Sequence, residues 1–225
     1  MHRLPVRGLE AARRFVEAVG FCTWGPVPGM DFPNLAEAMR HTAWTVMGET
    51  WGWKDDVHFQ RRLYYGRVIN GQPSFIAPDF LPDFVAALGI RGSAERDPLG
   101  LYESGRLARP ALQVYECLRQ DGRQSSAVLR HVSGSRTASA LERALTELQR
   151  RFLICKVDVT GRTRGTYGYV WDLAERFWPE QFRDAAGTAQ GAARAKIRSR
   201  LTQFGLNTGE EGRAERERKL FLWAP

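Results

Sequence analysis

The chain has 225 residues, of which 43% are hydrophobic and 11% aromatic, as in a folded globular protein with room for one large or two small domains. Its net charge of +8 is uneven, because residues 1–104 hold 11 Lys and Arg against 12 Asp and Glu, whereas residues 105–225 hold 22 against 13. No apolar run approaches the length that spans a bilayer, and the N-terminus lacks the apolar region of a signal peptide. We therefore expect neither a membrane-spanning nor a secreted protein, but a cytoplasmic one.

The residues that usually bind metals or cofactors are sparse. Cys22, Cys117 and Cys155 lie far apart among apolar residues, so we expect buried thiols in a reducing compartment. The four histidines share no ligand spacing with each other or with the cysteines, and no phosphate loop or dinucleotide fingerprint is present. The sequence therefore predicts neither a metal nor a cofactor.

The first half opens with an amphipathic pattern over residues 8–19, which predicts a helix. Residues 21–33 contain three prolines and two glycines and are expected to form a loop, followed by a short helix that Asp31 caps. Further along, Asn70-Gly71 between two apolar runs predicts a β-hairpin. A phenylalanine-rich helix over residues 78–88 closes this half.

The second half has the clearest pattern. Three helices are predicted over residues 109–120, 125–131 and 136–151, and they are followed by two strands over residues 152–160 and 166–172 that a turn connects. The turn between the strands is Gly161-Arg162-Thr163-Arg164-Gly165, a glycine-bounded tip with two cations. Three helices closed by a hairpin with a basic tip indicate a winged helix-turn-helix domain. The predicted fold is mainly α with small β-hairpins (α+β), and whether the first half is a second winged helix is left open.

The third of these helices has two distinct faces. Its apolar residues Leu141, Ala144, Leu145 and Leu148 share one side of a helix that turns about 100° per residue. The opposite side carries arginines at steps of seven, with hydroxyl residues alongside: Arg136, Ser139, Arg143, Thr146 and Arg150. Together with Arg162 and Arg164 of the tip, these residues are the predicted DNA contacts. An arginine stripe is also what a solvated helix face shows, and winged helices also serve as protein–protein modules.

An aromatic cluster in the first half suggests a pocket. Trp51-Gly52-Trp53-Lys54-Asp55-Asp56, with Tyr64 nearby, could stack an extruded base, and a lysine beside a carboxylate can act as a nucleophile or as an acid and base at a sugar. The pocket candidates are Trp51, Trp53 and Tyr64, and the catalytic candidates are Lys54, Asp55 and Asp56. Tryptophans that simply fill a core give the same sequence.

After Asp172 the chain ends in a basic helix over residues 187–204 and a glycine-broken tail over 207–219 that finishes with apolar residues, which we expect to dock. The basic helix and the apolar end allow a homodimer without requiring one. The expected domains are residues 1–104, 105–180 and 181–225.

Several blocks together resemble a known family. They are Val19-Gly-Phe-Cys, Phe32-Pro-Asn-Leu-Ala-Glu-Ala-Met, Thr50-Trp-Gly-Trp-Lys-Asp, Tyr64-Tyr-Gly-Arg, Ala144-Leu-Thr-Glu-Leu-Gln and Tyr169-Val-Trp-Asp-Leu with Phe177-Trp-Pro-Glu. Because of these blocks, the chain resembles, over roughly residues 10–205, the AlkZ-related branch of the AlkZ/YcaQ superfamily of crosslink-repair DNA glycosylases. The resemblance implies tandem winged helices and association with double-stranded or damaged DNA at the nucleoid.

The resemblance also implies a test for catalysis. Glycosylases of that superfamily use a glutamine-X-glutamine or glutamine-X-aspartate motif, and no glutamine of this chain has Gln or Asp two positions later. No catalytic residue can be carried over. The sequence thus favours a DNA-binding protein linked to repair or damage response; a glycosylase acting on alkylated or crosslinked bases and a transcription regulator remain the alternatives, and enzymatic activity is undecided.

Overall fold

The computed structural model describes residues 6, 8–40, 50–89, 96–163, 165–203 and 210–223. The chain divides into two compact units, one of residues 1–87 together with 188–225 and one of residues 88–187. We call them the first unit and the second unit. The sequence predicts a division into three domains, and that division stays a prediction.

The N-terminal part of the first unit contains both helices and strands. In chain order its described elements are α1 (Leu9–Val19), β1 (Phe21–Thr23), α2 (Leu35–Met39), α3 (Trp53–Phe59), β2 (Tyr64–Ile69), β3 (Gln72–Ile76) and α4 (Leu81–Leu88). The three strands form an antiparallel sheet in the order β1-β3-β2. Its core joins the inner side of α1 to the sheet, through Val16, Cys22, Tyr65 and Phe75 among others.

The second unit has three main helices and a second sheet. Its elements are α5 (Pro98–Glu103), α6 (Arg109–Asp121), β4 (Gln124–Ser125), α7 (Ser126–Val132), α8 (Ala138–Arg150), β5 (Ile154–Val159), β6 (Tyr169–Leu173), α9 (Ala174–Phe177) and α10 (Pro179–Ala186). The sheet is antiparallel in the order β4-β6-β5. The buried side chains of α8 include Leu141, Ala144, Leu145 and Leu148, the four that the helical periodicity predicts, and they share one core with α6 and Trp171 of β6.

Both sheets are built from the same order of elements. In each, a helix precedes a short strand, two described helices follow, and a hairpin supplies the last two strands, with the third strand in the middle. The chain is therefore a mixed α and β protein with small antiparallel sheets, as the α+β expectation states. Each sheet has three strands instead of the two of a hairpin, because β1 is added to one sheet and β4 to the other.

Two local expectations are wrong. The stretch expected to be a loop begins with β1, since Cys22 pairs with Phe75 in the register of β1 and β3. The helix expected to be capped by Asp31 is capped by Asn34, whose Oδ1 accepts the backbone N–H of Glu37 at 2.9 Å. In both stretches the structure depends on contacts with other segments of the chain and not on the local sequence alone.

The C-terminal segment completes the first unit with helices α11 (Gln190–Gln203) and α12 (Glu210–Leu220). The expectation of a glycine-broken tail is wrong where α12 forms. The apolar end docks as expected: the rings of Phe221 and Trp223 stack at 4.4 Å and both meet Phe84 edge-on. The N–H of Asn70, in the turn between β2 and β3, donates to the carbonyl of Leu220 at 2.8 Å. The C-terminal segment thus contacts the hairpin turn of the first unit.

Charged side chains hold the same segment in place. Arg198 Nε donates to both carboxylate oxygens of Glu217 at 2.9 Å, and Glu217 is buried. Lys196 Nζ lies 2.5 Å from Asp83 Oδ2. Among the residues that the structure describes, none of the helices combines the length and the apolar character that a bilayer crossing requires.

The hairpin turn at Asn70-Gly71 gives a test of backbone conformation. Both residues have positive φ, 51° and 67°, as a two-residue I′ turn needs. Because a Cβ in that region crowds the following carbonyl, we expect Gly71→Ala to lower the free energy of unfolding by about 1–2 kcal/mol, measured by urea denaturation. Gly191→Ala is the control, since that residue lies in α11 with open space around its Cα, and we expect it to raise the free energy by about 0.5 kcal/mol. Equal losses at both positions would contradict the conformational explanation.

Candidate functional site

The turn between α7 and α8 is held by its own side chains. Thr137 Oγ1 accepts the backbone N–H of Ala140 at 3.2 Å and so caps α8. The hydroxyls of Ser133 and Ser135 are hydrogen-bonded at 2.8 Å in a buried position. These contacts fix the direction in which α8 leaves the turn.

The start of α8 presents cations to solvent. Arg136 and Arg143 are exposed, the first just before the helix and the second within it. Ser139 is exposed beside them, with its hydroxyl 3.0 Å from that of Thr137. Three of the predicted contact residues therefore lie on the outward side of this helix while its leucines face the core.

The C-terminal half of α8 is less open. Thr146 and Arg150 are half-buried. Burial, together with the charge of the neighbouring Arg151, lowers the pKa of Arg150. Of the three arginines spaced by seven, Arg136 and Arg143 are exposed and Arg150 is half-buried, and Arg136 precedes the helix. Contact between Arg150 and DNA stays a prediction.

Two further exposed arginines lie close in the sequence, and the helical periodicity of α8 could not show them. Arg130 is exposed on α7, and its guanidinium donates to the carbonyl of Arg136 at 3.4 Å. Arg123 precedes β4, with 62% of its side chain exposed and its Nε 3.7 Å from Asp172. The signal that reveals them is charge alone, because residues 122–146 hold four arginines and a single acid, Glu142.

The tip between β5 and β6 is a structured loop. Thr160 Oγ1 donates to the carbonyl of Thr166 at 2.7 Å, across the loop. Any Cβ at Gly161 would collide with the Thr166 hydroxyl, so this position needs glycine. Arg162 is exposed on this tip. Arg164, the other predicted tip contact, lies outside the described residues.

Aromatic residues fix the hairpin to the helices. The rings of Tyr167, Tyr169 and Trp171 follow one another edge to face, with centroids 5.4 and 5.8 Å apart. Lys156 places its Nζ 4.3 Å from the ring centroid of Tyr169. The Ser126 hydroxyl donates to the carbonyl of Tyr169 at 3.1 Å and accepts from Trp171 Nε1 at 2.9 Å. The start of α7 and strand β6 are thus joined by side-chain hydrogen bonds.

The first unit holds a buried ion pair at the start of α3. Lys54 Nζ lies 2.7 Å from Asp55 Oδ1, and their side chains are 1% and 3% exposed. The Nζ atom also lies 4.6 Å from the ring centroid of Trp51 and 5.5 Å from that of Tyr65. Trp51 is 47% exposed. The structure therefore brings Lys54, Asp55 and Trp51 together, with the buried ammonium beside a half-exposed aromatic ring.

The other candidates of this cluster lie elsewhere. Trp53 packs on Phe75 with ring centroids 5.4 Å apart. Tyr64 is fully buried and meets His58 edge-on at 5.4 Å. Asp56 is half-buried one residue after the ion pair. Trp51 is the exposed ring of the three pocket candidates, and the catalytic roles of Lys54, Asp55 and Asp56 stay predictions.

The protonation of Lys54 gives a pH-dependent stability. Burial lowers its pKa, and the hydrogen bond to Asp55 offsets part of that effect. Between the lowered pKa and the ordinary lysine value of 10.5, the unfolded chain binds more protons than the folded chain, so the free energy of unfolding rises with pH. We expect this rise to disappear in a Lys54→Met, Asp55→Leu double variant, compared with the parent by urea denaturation from about pH 7 to about pH 10. Parallel profiles would show that Lys54 titrates normally.

The three cysteines are buried thiols, as expected. Burial raises the pKa of Cys22 and, with a contact to Asp121, that of Cys117, which makes both thiols poor nucleophiles. Within the described ranges, no three His, Cys, Asp or Glu side chains are grouped so as to hold a metal ion.

Comparison with known proteins relates most of the chain to one family model. A family model described as AlkZ related matches residues 6–215. No curated protein and no solved structure matches the chain.

Proposed function

The chain belongs to the AlkZ-related family, and from that membership and the geometry of the second unit we propose that it is a DNA-binding protein of DNA repair or damage response. The second unit supplies the contact surface. Its α8 enters the major groove of a duplex, and the tip between β5 and β6 contacts phosphate or the minor groove.

The order of elements in the second unit supports this proposal. Three helices followed by a hairpin, with a short strand after the first helix completing the sheet, is the order of a winged helix-turn-helix. In that fold the third helix is the one that faces DNA. Here α8 is that helix, and its cap at Thr137 and its leucine face fix which side it presents.

The observation that carries the proposal is the charge of this surface. Arg136 and Arg143 are exposed at the start of α8, Arg130 and Arg123 lie on the preceding elements, and Arg162 lies on the tip. Arginine guanidinium groups match phosphate oxygens in a bidentate geometry. A surface of this kind binds the phosphate backbone first and orients the helix for groove contact.

Over its described residues the first unit follows the same order of elements, and we propose that it is a second winged helix. Its hairpin differs from that of the second unit, because its turn is the two residues Asn70 and Gly71, and the N–H of Asn70 donates to the carbonyl of Leu220. This turn is shorter than the tip of the second unit and carries no cation. We therefore assign the groove contact to the second unit, and the protein would act at the nucleoid in the cytoplasm.

Binding to fluorescent duplex, single-stranded and abasic-site DNA, followed by anisotropy over a range of salt, tests the function. We expect duplex binding whose logarithmic affinity falls with log salt at a slope on the order of −3 to −5, as for a protein that neutralises a few phosphates. Preference for abasic or otherwise damaged duplex would favour repair, and preference for a palindromic sequence would favour a regulator. Absence of binding at low salt would overturn the proposal and favour a protein-interaction module.

A further inference from the structure

The ion pair in the first unit is not needed for the proposed DNA contact, yet it has the features of a reactive amine. A lysine that is 1% exposed is rare in proteins, because taking an ammonium out of water costs several kcal/mol before its partner offsets that cost. Lys54 has one carboxylate at 2.7 Å and two aromatic rings within 5.5 Å. Replacement of such a pair by apolar residues is often neutral for stability, so stability alone does not explain it.

The surroundings of Lys54 also favour its neutral form, since burial lowers its pKa. At pH 7 only about one in a few thousand exposed lysine amines is neutral. A lysine whose pKa is lowered is neutral more often, and lysines that form imines with carbonyl compounds occupy buried sites of this kind. Asp55 at 2.7 Å can hold the proton that the amine gives up.

We propose that Lys54 is an amine nucleophile that forms an imine with a sugar aldehyde, and that its substrate is the C1′ aldehyde of an abasic site in DNA. The choice of substrate rests on the proposed function, because DNA binding brings such an aldehyde to the protein. The reactivity of Lys54 toward aldehydes in general does not depend on it.

The reaction balances without a metal or an oxidant. The neutral amine of Lys54 attacks C1′ of the open-chain sugar, and the carbonyl oxygen takes a proton to give a carbinolamine. The nitrogen then loses its second proton while the hydroxyl leaves as water, so the C–N bond becomes a double bond and one water molecule is released. Asp55 accepts and returns the proton during these steps.

Trp51 has a role of its own in this arrangement. Its ring centroid lies 4.6 Å from Nζ, and almost half of its surface is exposed. Because the Lys54 side chain is 1% exposed, we expect the Trp51 ring to move aside before an aldehyde reaches the amine. It can then stack on a neighbouring base, since every nucleobase offers a π-face.

The test uses the intact protein and two probes. The first probe is 2-deoxyribose 5-phosphate with cyanoborohydride at about pH 7, which reduces any imine to a stable secondary amine that peptide mass mapping locates. The chain has four lysines, Lys54, Lys156, Lys196 and Lys219. We expect Lys54 to be labelled at least about tenfold faster than the exposed Lys196 and Lys219, because more of its amine is neutral. Labelling of Lys54 no faster than these two would overturn the proposal without any variant.

The second probe is a duplex with one abasic site, trapped with borohydride and separated on a denaturing gel. We expect a covalent protein–DNA product from the parent and none from Lys54→Arg, which keeps a charged partner for Asp55 but cannot form the imine. Trp51→Ala should speed labelling by the small aldehyde severalfold, because it removes the ring above the amine. An unchanged labelling rate in Trp51→Ala would show that the ring does not cover the reactive amine and would overturn that part of the proposal.

The two proposals fail in distinguishable ways. Duplex binding without a trapped product and without labelling of Lys54 would support the DNA-binding function and contradict the proposal that Lys54 is a nucleophile. Labelling of Lys54 by the small aldehyde in a protein that binds no DNA would contradict the DNA-binding function and the abasic-site substrate. It would still support the reactivity of the Lys54 amine toward aldehydes.

Discussion

Replacing Arg136, Arg143 and Arg162 together by alanine is expected to lower the affinity for duplex DNA about a thousandfold at about 50 mM salt. All three are exposed, two at the start of α8 and one on the tip of the hairpin. Each phosphate contact that is lost removes about 0.9 from the slope of log affinity against log salt, which corresponds to roughly a tenfold loss of affinity at this salt concentration. Anisotropy titrations at several salt concentrations measure both the loss and the change of slope, which should approach three.

A matched control separates this surface from the overall charge. Arg14, Arg119 and Arg218 are exposed arginines that lie on α1, α6 and α12. Their joint replacement by alanine changes the net charge by the same amount, and we expect it to alter the affinity by less than about threefold. If the control loses as much as the triple variant, net charge alone attracts the DNA, and α8 is not its contact.

The ion pair of Lys54 and Asp55 predicts the largest effect on stability. Asp55→Ala removes the carboxylate that lies 2.7 Å from the buried Lys54 ammonium, and we expect the free energy of unfolding to fall by about 3–5 kcal/mol near pH 7. The loss should shrink toward about pH 10, because a buried lysine whose pKa is lowered becomes neutral there and no longer needs a partner. Urea denaturation at the two pH values measures both effects.

Two comparisons isolate the charge from the volume. Asp56→Ala changes the neighbouring half-buried carboxylate, and we expect a loss below about 1 kcal/mol. The Lys54→Met, Asp55→Leu double variant removes both charges and keeps the volume, so it should be within about 1 kcal/mol of the parent near pH 7. A double variant as unstable as Asp55→Ala would attribute the loss to packing and not to the unpaired charge.

Local sequence patterns predicted the second unit well because its elements are long enough to repeat. The four apolar residues assigned to the inner side of α8 are buried, and Asn70-Gly71 in the first unit forms the predicted hairpin turn. Period, caps and turn residues are properties of a few neighbouring residues. They can therefore be recognised without knowing the rest of the fold.

The short strands and the cap of α2 could not be recognised in this way. Strand β1 has three residues and β4 has two, too few to show alternation, and each exists because another strand pairs with it. Cys22 of β1 pairs with Phe75, far along the chain. Similarly, Asn34 and Asp31 are both good caps by residue type, and the position at which the chain enters α2 selects Asn34.

The candidate sites show the same limit more sharply. Spacing by seven gives the angle of an arginine around a helix but not what packs over it, so Arg143 and Arg150 have the same pattern in the sequence and different exposure. Trp51, Trp53 and Tyr64 are equivalent aromatic residues in the sequence, and only packing leaves Trp51 exposed and buries Tyr64. Burial depends on contacts between distant segments, which a local pattern does not contain.

The sequence by itself determined the helix-and-hairpin order of the second unit, the basic character of its surface and, through ordered blocks of residues, the family. These features are carried by neighbouring residues and by charge, which do not depend on tertiary contacts. The tertiary structure decided the third strand of each sheet, the docking of Phe221 and Trp223, and the pairing of Lys54 with Asp55 beneath Trp51. Each of these depends on which segments meet when apolar surface is buried, and that is a property of the whole fold.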